Sequence, residues 1–135
     1  MKQRGVPVQD LYVLGGAQRA SFRDAQEEWL LYERAIIARL STDTGTGNIC
    51  CTYQTPSAAR ASARSSVLFK AGAIEGERLY ACTSTEVMVF RLPDFRRLAY
   101  ISVPWFNDLH HVCPTPEGRL AVAVTGPRRR AQSPT

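Results

Sequence analysis

The residues best suited to chemistry lie in one short stretch, Asn107-Asp108-Leu109-His110-His111. It holds both histidines of the chain, and histidine is the usual general base near neutral pH and a common metal ligand. His110, His111 and Asp108 are therefore the candidates for catalysis, and Asn107 and His111 the candidates for holding a divalent metal. Neighbouring residues of a strand face opposite sides, so His110 and His111 cannot serve one ion. The alternative for the same stretch is structural: Asn107 and Asp108 bond turn amides, and a histidine closes a strand end. Four cysteines, at positions 50, 51, 82 and 113, lack the close ligand pairs of a structural zinc site. Cys50 and Cys51 are expected on opposite faces of a strand, and the thiols read as small buried fillers. No nucleophile elbow, phosphate loop or dinucleotide fingerprint is present. No organic cofactor is implied; a divalent metal is the one ion the stretch could hold.

Positioning these residues falls to short strands. Residues 106–126 read as strand, tight Pro116-Glu117-Gly118 turn, strand, and the same hairpin occurs in outline 41 residues earlier, with Leu79 matching Leu120. A period of roughly 40 to 45 residues built from short strands is that of a β-propeller blade. Runs at 67–73, 79–84, 86–92 and 96–103, separated by turn residues, make one antiparallel four-stranded blade. Three strands at 11–15, 30–40 and 49–54 precede it, and two at 107–113 and 119–125 follow. Ser21 to Leu31 has a helix-start pattern, but Tyr32 to Leu40 runs into the glycine-rich turn Ser41 to Asn48 and then Ile49 to Tyr53. That is a hairpin signal, which leaves 20–28 as a loop or one helical turn. Gln54 to Ser66 reads as a surface connection. Alternation buries Leu79, Ala81, Val87, Val89, Leu120, Val122 and Val124, and Trp29 and Trp105 are expected in the core or between blades.

With 135 residues, 44% hydrophobic and 21% charged, the chain can bury a real core. The expected organisation is a flexible segment 1–9, a partial propeller of about two and a fraction blades over 10–126, and a disordered basic tail 127–135. The net charge of +5 is dispersed, with only Arg128-Arg129-Arg130 as a run, so nucleic acid is not the expected partner. No signal peptide and no apolar stretch near the ~20 residues of a membrane span is visible. A cytoplasmic protein is expected.

The chain resembles the bacterial propellers of the NHL, quinoprotein-like and gluconolactonase-like kind. The resemblance is carried by Glu-Gly-Glu-Arg-Leu-Tyr-Ala-Cys-Thr at 75–83, Val-Met-Val-Phe-Arg-Leu-Pro at 87–93, and Asn107-Asp108 ahead of Pro116-Glu117-Gly118-Arg119-Leu120. It implies an all-β fold of antiparallel four-stranded blades, here an incomplete propeller, and places Asn107 where that family has a metal ligand at its central channel. The spacing from Asn107 to Pro116 exceeds the family's, and the acidic partner ligands would come from further blades. Since propeller closure takes about four to eight blades, the implied function is a shortened relic or an interaction module without its own catalysis, associating with itself through open blade edges. The alternative is a metal-assisted hydrolase or lactonase-like fragment using Asn107, Asp108 and a histidine.

Overall fold

The structure, a computed structural model, describes residues 10–20 and 30–126. Nine strands build it: β1 (Asp10–Gln18), β2 (Tyr32–Ser41), β3 (Gly47–Tyr53), β4 (Ala71–Glu75), β5 (Arg78–Cys82), β6 (Val87–Arg91), β7 (Arg96–Ile101), β8 (Leu109–Pro114) and β9 (Leu120–Val124). They form three antiparallel sheets in chain order, β1-β2-β3, β4-β5-β6-β7 and β8-β9, which do not close on one another. The described chain is all-β.

The hairpins turn where the sequence permits. Gly76 (φ +58) opens the two-residue link between paired Glu75 and Arg78, and Gly118 (φ +75) lies in the turn closed by Thr115 N–H donating to the Arg119 carbonyl at 2.8 Å. Both positions lie in the left-handed region, where a Cβ is strained.

The sheets stack face to face with β4-β7 as the middle layer. On one side Leu79, Ala81, Met88 and Phe90 pack with Ala35 and Ile37 of β2 and with Val67 and Phe69. On the other, Tyr80, Cys82, Val87 and Val89 pack with Leu109 and Val112 of β8 and with Phe106 and the β9 side chains Leu120, Val122 and Val124. A sheet buried on both faces needs apolar residues at every position of its central strands. Leu79-Tyr-Ala-Cys82 and Val87-Met-Val-Phe90 supply them. The first strands of the sheets are neighbours: β4 packs against both β1 and β8. The approach is close enough that a Cβ on Gly72 of β4 would lie 3.1 Å from Leu14 of β1 and 2.2 Å from the Tyr80 carbonyl oxygen.

Several expectations are corrected. The segment 67–73 is strand only from Ala71. Before that, Val67 and Phe69 donate backbone N–H bonds at 3.0 Å to Tyr32 and Gly15 of the first sheet, so this stretch ties two sheets together. Leu120, Val122 and Val124 are half-buried, because β9 is the edge of a two-stranded sheet covered on one face. Trp105 lies in the turn after β7 and is 74% exposed, not in a core. Cys82 is buried, whereas Cys50, Cys51 and Cys113 are half-buried, all as free thiols. Cys50 is skipped in the β2–β3 register, as His110 is in β8–β9, so strict alternation fails at both adjacent pairs. Trp29, most of the 20–28 segment, the N-terminal 1–9 and the tail 127–135 lie outside the described residues.

Candidate functional site

β8 begins beside the link between β5 and β6, with Leu109 N–H donating to the Ser84 carbonyl at 3.0 Å. The register shift between Leu109 and His111 inserts one extra residue, so Leu109 and Val112 both reach the core while His110 and His111 are both exposed. A bulge re-aims side chains in this way. Asp108, just before the strand, takes φ +56, a conformation Asp tolerates better than most residues.

The result is a polar knot. Lys70, at the entry to β4, bonds Asp108 Oδ1. The Thr125 hydroxyl donates to Asp108 Oδ2 at 2.7 Å, and His110 Nε2 stands 2.8 Å from Thr125 Oγ1 and 3.3 Å from Asp108 Oδ2. The Lys70 ammonium first, and the Thr125 hydroxyl second, hold the Asp108 carboxyl down at about 2. Asn107 Nδ2 donates to the Gly126 carbonyl at 2.7 Å. Asn107, Asp108, His110 and Lys70 line a cleft of about 840 Å³ together with Ser62, Ser65, Ser66 and Ser84, with Leu30 and Leu68 among its apolar lining. Three of the predicted residues thus share one cleft beside the segment preceding Val67. His111 is exposed and takes no part in the knot.

The hydrogen-bond network limits the chemistry. A threonine hydroxyl has one proton, and the adjacent Asp108 oxygen can only accept. The Thr125 proton therefore goes to Asp108, and His110 Nε2 must be the N–H that donates to Thr125. A hydroxyl activated by an imidazole base needs the opposite proton placement.

Of the two residues expected to hold a metal, Asn107 lines the cleft and His111 does not. Both Asp108 oxygens are occupied by Lys70, Thr125 and His110. Among the described residues no three His, Cys, Asp or Glu side chains come together as ligands.

A second polar cluster lay outside the sequence reading. Glu86, the first residue of the 86–92 run, is 0% exposed. Oε1 accepts from Thr55 Oγ1 at 2.5 Å and Thr83 Oγ1 at 2.8 Å, and Oε2 accepts from the Tyr53 and Tyr100 hydroxyls, the latter at 2.8 Å. Burial, and then the bond to Glu86, push the Tyr53 phenol well above its ordinary value, and the same causes raise Tyr100. Thr83 is the only one of the four donors close to Glu86 in sequence, which is why no local pattern announces the site.

No helix among the described residues is long and apolar enough to cross a membrane. No protein-family model, curated protein or solved structure matches the chain.

Proposed function

We propose that the chain is a propeller-type segment acting as a protein-binding module without catalysis of its own, and that its first partner is a second copy. The observation that carries this is the outer face of the first sheet. Cross-strand pairing sets Leu11 beside Leu40 and Val13 beside Ala38 and Ile49, on the side opposite Ala35 and Ile37. Leu11, Val13 and Ile49 are 43%, 48% and 60% exposed. An apolar face of this kind marks an association surface. Within the chain, apolar sheet faces are twice covered by another sheet, so a sheet from a second copy is the matching cover. The side-by-side first strands β1, β4 and β8 support the propeller-type reading. The Thr125 proton, committed to Asp108, argues against a hydroxyl nucleophile at this site.

Sedimentation velocity across a wide concentration range tests the reading. Mass should rise with concentration in the unmodified chain, and Val13→Lys should abolish the rise. A chain that stays monomeric throughout removes self-association. The metal-assisted hydrolase alternative requires the His110 or His111 imidazole NMR signals to move on titration with zinc or calcium. The donor set favours no movement.

A further inference from the structure

The geometry points to the free edge of β7 as a docking site for an extended segment that adds a fifth antiparallel strand to the middle sheet and carries an acidic residue at its C-terminal end. This rests on the reading of the protein as a binding module and names a partner of different chemistry from a second copy.

Among the described residues β7 pairs only with β6, so its other edge has no strand partner there, and all six of its residues are exposed. Edge strands of this kind are templates for strand addition unless they are blunted. Here blunting is confined to the start of the strand. Arg96 and Arg97 lead it, and a register shift between Val89 and Phe90 leaves Leu98 out of the pairing. The second half is open and apolar: Leu98, Tyr100 and Ile101 are exposed, followed by Val103 and the largely bare Trp105.

The basic end says what should bind. Register sets Arg78, Arg91 and Arg96 directly opposite one another on β5, β6 and β7, with Glu75 of β4 at the inner end of the row. Like charges directly opposite on a sheet repel. Arg91 is neutralised by Asp94, and Arg97 lies over the Tyr100 ring at 5.2 Å, but neither Arg96 nor Arg97 has a carboxylate partner among the described residues. A strand added beside β7 puts one residue opposite Arg96, and an acidic residue there ends the row with the charge it lacks. Every pairing in this sheet is antiparallel. The added strand therefore meets Ile101 and Tyr100 first, with apolar residues, and Arg96 last.

Fluorescence anisotropy on the unmodified full chain tests this with three labelled synthetic peptides of alternating valine and threonine. One ends in two glutamates at its C-terminus, one begins with them, and one ends in two lysines. The first should bind about fivefold tighter than either control, and Arg96→Glu should transfer the preference to the lysine peptide. Equal binding by all three, no binding, or an unchanged order with Arg96→Glu overturns the proposal. A monomeric chain that prefers the first peptide keeps this inference and removes self-association. A self-associating chain indifferent to the peptides does the reverse.

Discussion

The hydroxyl of Tyr100, on the outermost strand of the middle sheet, donates to Oε2 of Glu86 at 2.8 Å, the oxygen that Tyr53 reaches from β3 of the first sheet. One carboxylate thereby links two sheets through hydroxyl donors alone. Burying a carboxylate is costly unless its lone pairs are met, and two donors on each oxygen meet them.

Removing that acceptor strands four hydroxyls at once. Glu86→Ala should lower stability by about 3 kcal/mol, and Tyr53→Phe by about 1 kcal/mol, both read from urea denaturation midpoints. A Glu86→Ala protein as stable as the parent would show that the carboxylate is not the link.

Tyr53 should resist ionisation in the folded protein. Its folded value is raised, chiefly by burial and then by Glu86, so its contribution is complete below the ordinary tyrosine value near 10 and fades as pH rises above it. Tyrosinate absorbance followed to alkaline pH should lack the signals of Tyr53 and Tyr100 until the protein unfolds, and Tyr53→Phe should take one of the two out of that late step.

Asp108 works in the acid range. Its folded value is depressed to about 2, so its contribution is present above the unfolded value near 4 and is lost as pH falls from about 4 to about 2. The stability gap between the parent and Asp108→Asn should close across that interval. Added salt should shrink it at neutral pH, since half of the side chain is in solvent. A gap that ignores both pH and salt would refute the role of the Lys70 pair.

Core substitutions should separate the two kinds of apolar position. Val87 is fully buried between sheets, and Val87→Asp should abolish soluble folded protein, a cost above about 4 kcal/mol. Val122, half-buried on edge strand β9, can turn a carboxylate toward water, so Val122→Asp should remain folded with a loss of about 1 to 2 kcal/mol. Soluble yield and circular dichroism decide both.

Features set by adjacent residues could be read from the sequence. The glycine turns at Gly76 and Gly118 announce hairpins, whereas alternation along β5 and β6 accounts for Leu79, Ala81, Val87 and Val89 and misses Tyr80, Cys82, Met88 and Phe90, which are buried on the other positions of the same strands. Asn107, Asp108 and His110 stand near one another because they are neighbours in the chain. Lys70 and Thr125 joined them only through sheet stacking and the bulge at His110, neither of which leaves a mark on residue spacing. Glu86 was hidden for the same reason: Tyr53 and Thr55 lie 33 and 31 residues away in sequence. Trp105 misled because large aromatics are usually interior, whereas this one follows an exposed strand.

The middle layer also decides how the molecule can come apart. β8 and β9 rest on one face of it, so that pair can lift away while the other core stays packed, and their amide hydrogens can exchange with solvent through a small local opening. Amides of β5 and β6 have no such route. Freeing them means losing both cores together, so their exchange should report the stability of the whole described fold.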